Sequence, residues 1–182
     1  MQKWQRVGTD KTEKVGWRWL VHKKFRLPNG YEGVFTTLDS VGKKYACVIA
    51  LTKQNEVIIV RQFRPGPEAI FDEVIGGAVE DGEVPLEAAK RELAEEAGYR
   101  VGAIECIGSA FKDSYTNGYY YFYLALNCEP LARGNNPDIS ENIEVRKISI
   151  DQLIKNAKIG LMSDPQAVLM AYDRLMEIKK GE

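Results

Sequence analysis

Hydrophobic and polar positions divide the chain into short, well-separated blocks. "GWRWLVHKKFRL" and "YEGVFTTLDS" flank a "PNG" break, a pattern that predicts two strands joined by a tight turn. "KYACVIALT" and "VIIVRQF" are nearly continuous apolar runs on either side of "QNE", as expected of a hairpin of buried strands. "RPGPEAIFDEVIGG" reads as a loop with two prolines followed by a short extended stretch. "AIECIGSAF", "GYYYFYLALNC" and "IEVRKISI" predict three more strands, with "LARGNNPDISEN" as a loop among the later elements. The spacing predicts a helix from Pro85, tolerated in a first turn, to Gly98, a favoured stop. A second helix covers "SIDQLIKNAKI", capped near Ser149 or Asp151, and a third covers "MSDPQAVLMAYDRLMEIKK", with Asp164 as cap and Pro165 in its first turn. Strands dominate the first two thirds and helices are spread through the chain, which argues a mixed α/β architecture.

Composition narrows the function classes. The 182 residues suit one domain with room for a small appendage, and 45% hydrophobic residues can fill a core without a metal or disulfide. A net charge of -1 gives no overall attraction to polyanions, so no nucleic-acid partner is expected. No apolar run reaches about 18 residues, so no membrane span is expected. The opening "MQKWQRVGTDKTEK" is too polar for a secretory signal. Cys47, Cys106 and Cys128 are far apart in apolar stretches and read as buried thiols of a reducing cytoplasm. His22 is the only histidine and reads as structural, so a catalytic base must come from another residue type.

One segment departs from this ordinary pattern. "GAVEDGEVPLEAAKRELAEEAGY" holds six glutamates and an aspartate in 23 residues. On a helix of about 100° per residue, Leu86, Ala89, Leu93 and Ala97 share the core face, and Glu92, Glu95 and Glu96 share a neighbouring one. Carboxylates at i, i+3 and i+4 repel, and they stand near a helix C-terminus, where the dipole also disfavours anions. A solvated acidic face is one reading. A hard-cation site for Mg²⁺ or Mn²⁺ is the other, since oxygen ligands on a rigid element suit such ions.

The spacing Gly77, five residues, Glu83, seven residues, then Arg91-Glu92-Leu93-Ala94-Glu95-Glu96-Ala97-Gly98-Tyr99 resembles the signature of the Nudix hydrolases, with Tyr99 where an aliphatic residue is usual. The resemblance implies an α/β/α sandwich with a mixed sheet over residues 46–182, preceded by an N-terminal antiparallel β region over 1–45. It further implies metal ligation by Glu92, Glu95 and Glu96 with the Gly76 carbonyl, a structural ion pair between Glu83 and Arg91, and structural roles for Gly77 and Gly98. The implied reaction is hydrolysis of a nucleoside diphosphate linked to another group.

Within the family the chain is most similar to the ADP-ribose and nucleoside diphosphate sugar pyrophosphatases. "VIIVRQFRPGP" and "DEVIGG" resemble the strand and loop that lead into the box there, with isoleucine where a proline is usual. That implies substrate contacts from Arg64, Arg61 and Glu73, and a base either from Glu95 or Glu96 in the box or from the late loop "NNPDISENIEV", with Glu141 ahead of Glu144 and Asp138. The N-terminal strands would help make a homodimer, and Trp17, Trp19, Phe25 and Tyr31 could stack on a nucleobase. About 15 residues past the box, "FKDSYTNGYYYFY" lacks the proline common in ADP-ribose enzymes. Alternatives are therefore a nucleoside triphosphate or dinucleoside polyphosphate hydrolase, or a Nudix-like nucleotide sensor that does not cleave.

Overall fold

The structure is a computed structural model and describes residues 1–16, 18–38, 43–137 and 142–181. The chain forms two compact units: Met1–Lys43 with Ala110–Tyr119, and Lys44–Ser109 with Tyr120–Glu182.

The first unit contains an antiparallel sheet of β1 (Gln5–Arg6), β2 (Lys11–Val15), β3 (Arg18–Arg26) and β4 (Glu32–Leu38). β4 pairs along one edge of β3, Leu20 with Leu38 through Arg26 with Glu32. β1 and β2 pair with β3 as well, and so share its other edge. β3 and β4 are the hairpin expected from the alternation, and Gly30 takes the positive φ of 86° that its turn requires. β1 and β2 went unforeseen because "QR" and "KTEKV" carry no alternation; backbone pairing to β3, not burial, makes them strands. Trp4, Phe25 and Phe35 pack ring on ring, and the Arg6 guanidinium lies 5.0 Å from the centre of Phe25. His22 shares a 2.9 Å hydrogen bond with Thr36.

The second unit is built on β5 (Lys44–Thr52), β6 (Val57–Arg64), β7 (Ala69–Glu73), β8 (Ile75–Ala78), β9 (Tyr99–Arg100), β10 (Ala103–Phe111), β11 (Tyr119–Pro130) and β12 (Ile143–Ile148). Their spine runs β10-β11-β5-β6-β12; β7 joins β6, β8 joins β5 and β9 joins β11. Seven consecutive residues of β5, Ala46–Thr52, are buried, so both faces of this strand are covered. Ala46, Val48 and Ala50 pack with Ala88, Ala89 and Leu93 of α1 (Pro85–Glu92) and the turn that continues it. Cys47, Ile49 and Leu51 alternate to the other face, where α3 (Pro165–Lys180) contacts β5 and packs on α2 (Ile150–Lys158). This is the expected sandwich with a mixed sheet between helices.

Ser149 proves to be the cap of α2, its hydroxyl accepting from the Gln152 N–H at 3.1 Å. Asp164 precedes α3 but its side chain caps nothing; it accepts from the Ser163 hydroxyl at 2.9 Å. The aromatic run of β11 splits as alternation requires. Tyr121 and Tyr123 pack in the core beneath α1, while Tyr120 stacks on Tyr45 at 4.6 Å on the other face.

The cysteines divide differently from expectation. Cys47 and Cys128 are buried, whereas Cys106 is exposed on β10. All three are free thiols, and burial pushes the Cys128 thiol up to about 11. A thiolate is the reactive form, so Ellman's reagent at pH 8 should titrate one thiol per native chain and three after denaturation. Rapid native reaction of a second thiol would contradict this arrangement.

Candidate active site

The acidic helix begins at Pro85 as the sequence predicts, but it does not stay α-helical to its end. α1 gives way to a wider π-helical turn over Leu93–Ala97, closed by Gly98 at φ 73° and ψ 33°. A π turn carries an extra residue and marks functional sites more often than ordinary helix does. Here it spans the residues that carry Glu95 and Glu96. The left-handed Gly98 also has no room for a side chain, since a Cβ would come within 2.6 Å of the Gly134 carbonyl carbon and the Asn135 nitrogen. The loop that begins there seals the helix end. The Asn136 N–H donates to the Glu95 carbonyl at 2.7 Å, and the Asn135 amide donates to the Glu96 carbonyl at 3.0 Å.

Leu93 is fully buried beneath this turn and pins it to the sheet. The three carboxylates stand in graded environments: Glu96 is buried, Glu92 nearly so, and Glu95 is about 41% exposed. Arg91 is their counter-charge. Its Nη1 donates to Glu92 at 2.8 Å and to Glu95 at 2.9 Å. Its other nitrogens meet both oxygens of Glu83 at 3.1 Å and the Ala78 carbonyl at 2.9 Å. Glu83 also accepts the Glu80 N–H at 3.0 Å, so its carboxylate ties the preceding loop to the helix. Arg91 holds the Glu83 carboxyl below the usual carboxylate range, and the carboxylates raise the pKa of Arg91 in turn.

β8 supplies the facing wall. Glu96 accepts the Gly76 N–H at 3.0 Å. A side chain on Gly76 would strike the Ala46 carbonyl oxygen, and one on Gly77 would sit 2.5 Å from the carboxyl carbon of Glu92. The two glycines let β8 approach β5 on one side and Glu92 on the other. Among the described residues, no three acidic, histidine or cysteine side chains surround one point as metal ligands do. The reason is visible in the hydrogen bonds: Glu92 and Glu95 turn to Arg91, while Glu96 turns to Gly76. The donor set fits a hard divalent cation nonetheless. It offers hard oxygens only, and two of its carboxylates already converge on a single cationic nitrogen.

Strand alternation sorts the other candidates. Val60, Ile143 and Val145 pack in the core beneath the acidic helix. Gln62 and Arg64 share that face with Val60, as does Glu73, which pairs with Val60 in register. Arg64 binds Glu73 through two nitrogens, at 2.8 and 2.5 Å, and its pKa is raised chiefly by those bonds, with Asp164 and Glu96 also within electrostatic reach. Arg61 lies on the opposite face. It donates to buried Asp72 at 2.7 Å, which the α2 residue Asn156 also holds at 2.7 Å. Glu144 pairs with Arg61 in register and therefore faces away from the acidic helix too.

Arg61 and Arg64, both expected to contact substrate, stand on opposite faces of β6, and only Arg64 shares the face of the acidic helix. Glu73, expected to touch substrate, is buried with both oxygens occupied. Trp19 lies on β3 of the first unit, half exposed, with the Lys14 ammonium 5.8 Å from its ring centre. Phe25 is taken up in packing with Trp4 and Phe35, and Tyr31 is exposed in the turn. Trp17, Asp138 and Glu141 lie outside the described residues. Two contributors went unread in the sequence, Gln62 and Asn135. Gln62 sits two residues before Arg64, a spacing that puts both on one face of a strand.

A family model described as the NUDIX domain matches residues 43–169. The chain belongs to the Nudix family. As a Nudix protein it is a hydrolase by kinship, and its relatives are consistent with that. It is 30% identical to an ADP-ribose pyrophosphatase of Bacillus subtilis (strain 168), over 86% of this chain and 84% of the relative. It is 28% identical to a methanol dehydrogenase activator of Bacillus methanolicus, over 85% and 83%. Among solved structures, one described as an ADP compounds hydrolase superposes with a TM-score of 0.80 at 17% identity, covering 97% of this chain and 96% of that one, which is a likeness of fold.

The Gly77 contact makes a direct prediction. Gly77→Ala places a methyl group against the Glu92 carboxylate and should lower Mg²⁺ affinity at least about tenfold, while the melting temperature shifts by no more than a few degrees. Calorimetric titration with Mg²⁺ checks it; unchanged affinity would mean that Glu92 has no part in holding the ion.

Proposed function

We propose that this Nudix hydrolase cleaves the pyrophosphate bond of a nucleoside diphosphate sugar, with ADP-ribose giving AMP and ribose 5-phosphate. The observation that carries the reading is Arg64. It stands on the same sheet face as the acidic helix, close enough to Glu96 to feel its charge, and guanidinium pairs with phosphate oxygens in a two-pronged geometry. The name of one relative supports it, the Bacillus subtilis ADP-ribose pyrophosphatase.

Glu92, Glu95 and Glu96, with the Gly76 carbonyl, would hold Mg²⁺ or Mn²⁺, which neutralises charge on the pyrophosphate. Arg64 grips a phosphate oxygen. Water adds to one phosphorus, the bridging oxygen leaves with the other phosphate, and a carboxylate takes the water's proton. Glu141, outside the described residues, is the first candidate for that base on the family resemblance, with Glu95 the second. Glu83 and Arg91 keep the helix and its loop in place. Among the described residues no helix is long and apolar enough to cross a membrane. The nucleotide substrate of this reading suits a cytoplasmic enzyme.

A panel of nucleotides with Mg²⁺ tests the assignment. ADP-ribose should be cleaved to AMP and ribose 5-phosphate, chelation with EDTA should abolish turnover, and Glu96→Gln should lower kcat by about 10² or more. Glu141→Gln should lower kcat by about 10²-fold with little change in KM. Faster turnover of nucleoside triphosphates or dinucleoside polyphosphates would reassign the substrate, and binding without cleavage would make the chain a sensor.

The N-terminal sheet supports a homodimer. Trp19 is exposed on one of its faces and Val15 and Val34 on the other, apolar side chains that a second copy would cover. Light scattering after gel filtration should give twice the 20.5 kDa chain mass, and Trp19→Glu with Val34→Glu should give the single chain. A monomer in the unaltered protein at micromolar concentration would remove this proposal.

A further inference from the structure

The arrangement around Arg64 is more elaborate than an arginine at a strand end needs. β7 and β6 pair so that Val60 faces Glu73 and Arg64 faces Ala69. Arg64 and Glu73 are therefore offset by four residues, about 13 Å along the strands. They meet only because both side chains lie along the sheet rather than standing off it. The guanidinium is drawn back from its own strand end to Glu73, which lies three residues along the chain from the Gly76 N–H that holds Glu96.

Glu73 is 2% exposed. Burying a carboxylate costs several kcal/mol unless its lone pairs are met by charge and hydrogen bonds. Here they are: Oε1 accepts Arg64 Nε at 2.8 Å, and Oε2 accepts Arg64 Nη2 at 2.5 Å and the Gln62 amide at 2.8 Å. Gln62 is itself buried and shares the face, and its amide holds the same carboxylate oxygen that Arg64 Nη2 meets. Arg64, by contrast, is about half exposed, and among the described residues no acceptor meets its Nη1. One edge of the guanidinium is clamped and the other is presented.

We propose that Glu73 and Gln62 are positioning residues, a buried carboxylate–amide clamp that fixes the Arg64 guanidinium beside the glutamate-bearing helix so that its outer edge meets the substrate's pyrophosphate. The proposal rests on the reading of Arg64 as the phosphate grip. Glu73 acts through Arg64 and touches no substrate. A fixed guanidinium loses less side-chain freedom on binding than a mobile one, and its placement matters most when charge moves between phosphorus and oxygen.

Two measurements separate the clamp from the substrate reading. The first needs no substrate. In ¹⁵N-edited spectra near pH 7, the Arg64 Nε–H, assigned by its loss in Arg64→Lys, should be sharp and slow to exchange, and in Glu73→Gln it should broaden or vanish. An Nε–H exchanging as fast as that of a free arginine in the unaltered protein overturns the clamp. The second is a mutant cycle on ADP-ribose cleavage. Glu73→Gln should lose about tenfold or more in kcat/KM, Gln62→Leu less, and Arg64→Ala about 10²–10³-fold. In the Arg64→Ala background, Glu73→Gln and Gln62→Leu should cost nothing further. Losses that multiply overturn the proposal, because Glu73 would then meet the substrate itself. Gln62→Leu keeps the cycle readable if Glu73→Gln fails to fold. A persistent, Glu73-dependent Nε–H in a protein that cleaves no sugar nucleotide supports the clamp and overturns the substrate assignment alone.

Discussion

Electrostatic repulsion on one helix is the constraint around which the second unit is organised. Glu92, Glu95 and Glu96 lie within two turns, close to a helix end whose dipole opposes them. The fold answers with positive charge and polar hydrogen. Arg91 bridges Glu92 and Glu95 and is itself held by Glu83 and the Ala78 carbonyl, so it cannot swing away into water. Glu96, the most buried of the three, receives a backbone N–H from β8. These contacts require β8 to lie flat against the helix, and two adjacent glycines make that approach possible. Loop, helix and strand are thereby one electrostatic unit. A substitution at Gly77 acts on a carboxylate that is fifteen residues away in sequence.

Much of this was legible in the sequence, for identifiable reasons. β5 and β6 announce themselves because a strand buried on both faces is apolar almost without interruption, and Ala46–Thr52 is. The acidic helix is legible because its apolar residues keep helical spacing and its charged ones match a defined spacing. The π turn is not legible, since Leu93–Ala97 has the composition of ordinary helix. β1 and β2 were equally hidden: they gain strand geometry from an edge of β3, and no property of their side chains signals it. The exposure of Cys106 followed the same logic in reverse. β10 is apolar enough to suggest burial, yet Glu105 and Cys106 are both exposed there.

The roles of charged residues were the least legible part, because role depends on strand parity and sequence shows parity only once register is fixed. Arg61 and Arg64 differ by three positions and so fall on opposite faces of β6. One joins Asp72 and Asn156 in a network with α2; the other joins Glu73 and Gln62 beneath the acidic helix. The same parity separates Glu144 from Ile143 and Val145, and so removes it from the face that bears the candidate metal ligands. Sequence proximity to a motif is therefore a poor guide to membership of a site, while sharing a face with it is a good one.

Both arginines on the helix-bearing face follow a single design. Arg91 and Arg64 are each held by a carboxylate that is itself largely buried, and each lies beside the cluster of glutamates. Arg91 directs its donors to acceptors within the protein, five in all. Arg64 spends only one edge. A guanidinium fixed on one side and presented on the other is suited to a rigid, doubly charged partner, because planar donors can be aligned in advance only when the group that aligns them is immobile. The burial of Glu73 is intelligible in those terms: its desolvation is offset by Arg64 and Gln62, and the result is a cation whose position no longer depends on its own flexible stem.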